Sequence, residues 1–291
     1  THSEPARFAV WRGPPKRRVM TELSTAALER IAAALERLAP ATPASADPLA
    51  SPAYLWRGEV LQPARGFSPL PLAMLQGLDR QRDALLANLE RMADGHAAQD
   101  VLLWGARGTG KSALVKASVA AVQATRPGRL ALVSVDTLDS LPALFAQLEG
   151  VDRAFALFID DLGFDEAGEA RRLRSLLDGG AEARPAHVRL LVTANRRHLL
   201  PEYQSENLTY QRGEDGELHP GEVIEEKISL SERFGLWVSF YPFSQDEYLR
   251  VVAQWLEALG LDQATIEAAR PEALVWALER GSRSGRVAHQ F

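Results

Sequence analysis

An α/β fold is what this sequence predicts: a parallel sheet covered by helices on both faces, then a small all-helical region. Three observations predict it. Five short apolar runs alternate with helix-periodic segments up to Phe243, and continuous apolar strands belong to parallel sheets buried on both faces. After Phe243 the strand-like runs stop and helical periodicity remains. The chain of 291 residues is 46% hydrophobic and 24% charged, enough for one large core with a small accessory region.

Taken in order, the first fifty or so residues read differently from the rest. "RFAVWRGPPKRR" is basic with a Pro-Pro break, and "STAALERIAAALERLA" places Leu28, Ile31, Leu35 and Leu38 at helical spacing. Ala39 to Ala53, "APATPASADPLASPA", reads as a linker. Residues 1–53 are thus expected to be an N-terminal helical extension with its linker, 54–243 the α/β body and 244–291 a helical lid cut short at the chain end. In the body, "LDRQRDALLANLERMADG" is a helix with Leu85, Leu86, Leu89 and Met92 on one face and Gly95 as its stop. The strands are "DVLLWG", "RLALVSVD", "AFALFIDD", "VRLLVTAN" and "LWVSFYPF", with helices "KSALVKASVAAVQAT", "TLDSLPALFAQLEG" and "EAGEARRLRSLLDGG" between the first four. In the lid, Ser244 and Glu247 form a capping box, Pro271 marks a helix start, and "SGRVAHQF" opens a last helix.

Composition narrows the setting. Cysteine is absent, which excludes disulfides and cysteine-ligated zinc. No apolar run approaches the ~18 residues of a membrane span, and "THSEPARFAVWRG" lacks a signal-peptide core. A cytoplasmic location fits. The net charge of -5 leaves nucleic-acid contact to a local patch.

Chemistry concentrates at "GARGTGKS", Gly105 to Ser112, which fits G-x-x-x-x-G-K-[ST]. A strand precedes it and a helix follows, as the motif requires. Glycines let consecutive N–H groups of Gly105, Ala106, Arg107, Gly108, Thr109 and Gly110 turn inward toward phosphate oxygens, and the helix N-terminus adds its dipole. Lys111 reaches the β- and γ-phosphates and the Ser112 hydroxyl ligates Mg²⁺. Lysine occurs only at 16, 111, 116 and 227, so Lys111 stands out from background.

"FIDD" ends a strand in two carboxylates. Asp160 is expected to hold Mg²⁺, directly or through water, and Asp161 to polarise the attacking water. Asp161 is one methylene shorter than glutamate, and proton abstraction depends on reach; Glu166 is a reserve base. Alone, "IDD" would read as a helix N-cap. Asn195 ends the next strand and would sit between γ-phosphate and water; alone it would be a turn residue. Arg233, before the fifth strand, projects to a neighbouring subunit's nucleotide or pairs with Glu232 or Glu226. Arg283 and Arg286 open the last helix, where one of them folds back on the phosphates.

The order of phosphate loop, acidic strand end, polar strand tip, "ERFG" arginine and helical lid resembles the AAA+ superfamily of P-loop ATPases. More narrowly, "LLWGARGTGKS", "FIDDLGFD", "TANRRHLLPE", "EEKISLSERFGLWVSFYPF" and "RGSRSGRVAHQF" resemble a bacterial AAA+ family known as domain of unknown function 815, from roughly Leu75 to Phe291. The resemblance implies a five-stranded parallel sheet with a helical lid, ATP and Mg²⁺ as ligands, and a homo-oligomer, ring or partial ring. It implies Asn195 as first sensor, Arg233 as arginine finger and Arg283 as second sensor, with Arg286 its rival. "QGLDRQ" resembles the adenine-contacting segment, which makes Leu78 the candidate there.

The expected function is ATP hydrolysis that moves the lid against the sheet and does work on a macromolecular partner, a protein of unknown identity. Two alternatives stay open: an ATP-dependent switch that scarcely hydrolyses, and a nucleic-acid loader using the basic arm with Trp11 for stacking. The insertion from Ser205 to Lys227 contacts a substrate or neighbour, or is a surface loop.

Overall fold

The structure, a computed structural model, describes residues 25–38, 44–162, 173–177, 184–195, 211–212, 218–219 and 232–291. Contacts divide the chain into two compact units, Thr1–Ala44 and Ser45–Phe291. In the first, helix α1 spans Thr25–Leu38, where Leu28, Ile31 and Leu35 recur at helical spacing. The basic arm and Trp11 lie outside the described residues, as do Glu166, Glu226 and most of the 205–227 insertion.

The second unit is built on one sheet. Its strands are β1 (Ala53–Arg57), β2 (Val60–Pro63), β3 (Val101–Gly105), β4 (Leu130–Val135), β5 (Ala154–Ile159), β6 (Val188–Ala194) and, after a two-stranded pair β7 (Gln211–Arg212) and β8 (Leu218–His219), β9 (Leu236–Phe240). The order is β2-β1-β4-β5-β6-β3-β9. The expected strands β4, β5, β6, β3 and β9 are contiguous and pair in parallel. The count of five is corrected to seven. β1 adds to β4 in parallel and β2 returns antiparallel. Their two-residue turn is Gly58–Glu59, with φ of 51° and 68°; such a turn needs positive φ at both places and usually signals itself by Asn-Gly. Glutamate hid it. The pairing buries Tyr54 and Trp56 almost fully.

The end of the Pro/Ala/Ser stretch is tied to this hairpin. The Ser45 hydroxyl accepts from the Leu61 N–H at 2.7 Å, and the Ala46 N–H donates to the Leu61 carbonyl at 2.8 Å. Buried Arg153 adds Nη donations to the Pro48, Ser51 and Leu130 carbonyls at 3.1, 2.8 and 3.0 Å.

Strand residues alternate between two apolar layers. Leu102, Val133, Leu157 and Val192 pack with Leu144 and Phe145 of helix α4 (Leu141–Leu148). Leu103, Leu132, Phe158 and Leu191 pack with Leu85 and Leu89 of α2 (Asp79–Ala93) and with Leu114 and Val115 of α3 (Lys111–Thr125). Helices on both faces favour apolar strands, and β5 is apolar and buried at every position. Of the helix expected between β5 and β6, residues 173–177 are described and are helical.

The lid has its own core around Tyr248, Val252, Ala273 and Ala277. Helix α5 (Gln245–Ala258) carries the expected capping box: Ser244 Oγ accepts from the Glu247 N–H at 3.2 Å and Glu247 Oε2 from the Ser244 N–H at 2.7 Å. Helix α6 corrects a second expectation. It runs unbroken over Gln263–Glu279 with Pro271 inside, capped instead by Asp262. Burial of Ile266 before the proline and of Ala273 and Ala277 after it offsets the lost backbone hydrogen bond. Helix α7 is Gly285–Gln290. Among the described residues no helix is long and apolar enough to cross a membrane.

Candidate functional site

The C-terminal ends of β3, β5 and β6 meet the lid around a cleft of about 760 Å³. At its floor β3 hands over to α3. Gly105 has φ 136°, and a Cβ there would stand 1.9 Å from the Phe240 carbonyl oxygen; only glycine permits β3 and β9 to stay paired to that point. The Ala106 N–H then donates to the same carbonyl at 3.1 Å. Thr109 Oγ1 donates across the loop to the Ala106 carbonyl at 2.8 Å, and α3 starts at Lys111 with left-handed Gly110 before it. Arg107, Gly108, Thr109, Gly110, Lys111 and Ser112 line the cleft.

Lys111 is buried at 7% exposure. Its Nζ donates to the Gly105 and Ala106 carbonyls, both at 2.9 Å, and to Asn195 Oδ1 at 3.2 Å. Burial pushes its ammonium below the ordinary lysine range, against the pull of Asp161 and Asp160, while Arg107 and Arg286 push the same way as burial. Three cations and two carboxylates thus face one cleft.

The carboxylates are organised by hydroxyls. Ser112 Oγ donates to Asp160 Oδ1 at 2.6 Å and Thr193 Oγ1 to the same oxygen at 2.7 Å. Asp161 stands at φ 53°, which costs a non-glycine residue about 1–2 kcal/mol. Its N–H donates to Thr193 Oγ1 at 2.7 Å, and its Oδ1 accepts from Asn195 Nδ2. Ser112 and Asp160 offer adjacent hard oxygens, the donor chemistry that suits Mg²⁺.

The lid closes the far side. A Cβ on Gly108 (φ 74°) would lie 2.8 Å from Ser284 Oγ, and the Arg286 N–H donates to the Gly108 carbonyl at 3.2 Å. The cleft is also lined by Leu75, Leu78, Val251, Trp255 and His289, with Leu78 against the loop, where a Cβ on Gly110 would stand 3.3 Å from its Cδ1. The Trp255 and His289 rings meet edge to face at 4.4 Å. Apolar and cationic side chains thus line the same cleft.

Lys111, Ser112, Asp160, Asp161, Asn195 and Leu78 therefore share one cleft. Gly105 and Ala106 do not line it: the Ala106 N–H, expected to turn toward phosphate, is taken by the Phe240 carbonyl, and the carbonyls of both residues hold Lys111. Arg286 lines the cleft and Arg283 does not; the Arg283 carbonyl accepts from the Phe243 N–H at 3.3 Å. Arg233 lies before β9, at the opposite end of the sheet from its own loop, since Gly105 pairs with Phe240 and Val101 with Leu236. Thr193 and the Trp255–His289 wall escaped the sequence reading. Thr193 was legible as the residue two before Asn195 on the same strand face; nothing local marks Trp255 and His289, which belong to separate lid helices.

A family model described as "Protein of unknown function (DUF815)" matches residues 49–291. No curated protein matches the chain. Among solved structures, the Thermotoga maritima RuvB Holliday junction branch migration motor is similar at 17% identity and TM-score 0.49, over 77% of this chain and 63% of that one. Aeropyrum pernix ORC2 is similar at 15% identity and TM-score 0.47, over 78% and 69%. A chain of the E. coli MS115-1 HORMA:CdnC:Trip13 complex is similar at 15% identity and TM-score 0.46, over 75% and 88%. The chain spans less than two thirds of the RuvB length.

Proposed function

The chain belongs to the DUF815 family, and we propose that it binds ATP between sheet and lid and hydrolyses it to drive lid motion against a macromolecular partner. One observation carries this reading: the phosphate-type loop Gly105–Ser112, the Ser112–Asp160 pair at 2.6 Å and the Asp161–Asn195 contact all open into one cleft.

The loop N–H groups from Arg107 onward and the N-terminal dipole of α3 bind phosphate oxygens, while the Ala106 N–H stays with Phe240. Lys111 gives up its carbonyl partners for the β- and γ-phosphates. Ser112 and Asp160 would hold Mg²⁺, which neutralises charge on the transferred phosphoryl group. Asp161 orients the attacking water and takes its proton, and Asn195 keeps that carboxylate in place. Arg286, rather than Arg283, is the lid cation assigned to the phosphates, because it is the one in the cleft wall. Leu78 and Trp255 enclose the base. Arg233 sits too far from its own loop to serve it, so we assign it to the site of an adjacent subunit in a homo-oligomer.

The test is steady-state ATP turnover at rising protein concentration, beside calorimetry with a non-hydrolysable ATP analogue and Mg²⁺. Specific activity that rises with concentration and disappears in Arg233→Ala supports the shared-site ATPase. Tight analogue binding without turnover at any concentration replaces it with a nucleotide switch. No binding at all removes both.

A further inference from the structure

Among the described residues only Glu59 and Asp161 are non-glycine residues with positive φ. Glu59 belongs to the β1–β2 turn, whose geometry demands it. Asp161 has no such turn to explain it. The β5–β6 ladder ends at Ile159 opposite Val192. The next backbone donor at this edge, the Asp161 N–H, goes to the Thr193 side chain at 2.7 Å, and the Leu162 N–H returns to the Thr193 carbonyl at 2.8 Å. Thr193 is thus the anchor on both sides of the left-handed residue. It is 1% exposed, and a β-branched side chain holds its rotamer. Its one proton goes to Asp160 Oδ1 at 2.7 Å, which leaves its lone pairs to accept from Asp161. The bend carries a short carboxylate onto Asn195.

We propose that Thr193 is the positioning residue of the water-orienting carboxylate: its hydroxyl pins the Asp161 backbone in the left-handed conformation that delivers the Asp161 side chain to Asn195. This rests on the hydrolytic reading above. The hydroxyl must donate and accept at once. Serine does both, and isosteric valine does neither.

The experiment compares Thr193→Val and Thr193→Ser in the full chain. It measures turnover against ATP and Mg²⁺ concentration, affinity for a non-hydrolysable ATP analogue with Mg²⁺, and hydrogen exchange at the Asp161 amide. Thr193→Val is expected to lower kcat about 10²-fold. Its KM and analogue affinity should stay within about threefold, and its Asp161 amide should exchange faster. Thr193→Ser restores kcat and the protection of the Asp161 amide. Where Thr193→Val does not fold, Thr193→Ala against Thr193→Ser makes the same comparison. Wild-type turnover in the valine or alanine variant, or a lost rate that returns as Mg²⁺ is raised, overturns the inference, the latter because Thr193 then acts through Asp160. A wild-type protein that binds analogue and never turns over ATP takes down the hydrolytic reading and this inference together. An active wild type beside an equally active variant sinks the inference alone.

Discussion

The two ends of the sheet both hold opposed charges and treat them in opposite ways. At the N-terminal end of the strands Asp100 is saturated. Its two oxygens take both Nη of Arg184 at 2.8 Å, and Oδ1 also accepts the Leu190 N–H at 2.8 Å. The pair is 14% and 10% exposed. The Asp100 carbonyl accepts from Leu236 at 3.1 Å, so one residue clamps the starts of β3, β6 and β9. At the C-terminal end Lys111, Asp160 and Asp161 also have partners, but those partners line a cleft and leave room for a ligand to take their place. A closed charge pair clamps the strands, whereas an open one keeps its charge available to whatever enters.

The strongest break in this comparison is a paired substitution. Asp100→Ala strands the Arg184 guanidinium and should cost about 3–5 kcal/mol of stability by denaturant unfolding, most of it recovered when Asp100→Leu is combined with Arg184→Met. Asp161→Asn should do the reverse. Asparagine tolerates left-handed backbone, so stability should stay near wild type while kcat falls about 10²–10⁴-fold. Equal stability losses at the two ends would erase the distinction.

Lys111→Met tests the open end next. Nucleotide affinity should fall by about 1.5–3 kcal/mol in calorimetry. The folded-state pKa of Lys111 lies below its unfolded value, so the protonated group opposes folding at neutral pH. That opposition is relieved as pH rises through the depressed pKa toward the ordinary one. Thermal melting of the nucleotide-free variant should therefore sit at or above wild type. A lower melting temperature would mean that Lys111 clamps the fold as Asp100 does.

Smaller still is Gly108→Ala, which pushes a methyl against Ser284 in a conformation that costs alanine about 1–2 kcal/mol. It should weaken ATP about tenfold by opening the lid contact, and lower unfolding stability by no more than that strain. Smallest is Arg57→Ala. The Arg57–Asp136 pair at 3.4 Å is well exposed on both sides, and melting should move by no more than about 0.5 kcal/mol.

How much of this was legible beforehand follows from chain distance. The loop 105–112, the carboxylates at 160 and 161, the five strands β3, β4, β5, β6 and β9 and the Ser244–Glu247 box are each written within a few consecutive residues, and local backbone rules suffice to read them. The hairpin β1–β2 was missed because its turn carries Glu59 where Asn or Gly would announce it. Pro271 was misread because local propensity starts a helix there, and packing against Tyr248 overrides propensity.

By itself, then, the sequence determined the phosphate-type loop, the acidic strand end and the alternation that builds a parallel sheet, because each depends on neighbours in the chain. Tertiary structure alone decided that the Thr193 hydroxyl meets the Asp161 N–H, that Arg286 and not Arg283 lines the cleft, and that Asp100 finds Arg184. Those contacts join residues far apart in sequence, and only strand register and lid docking determine which atoms come within hydrogen-bond reach.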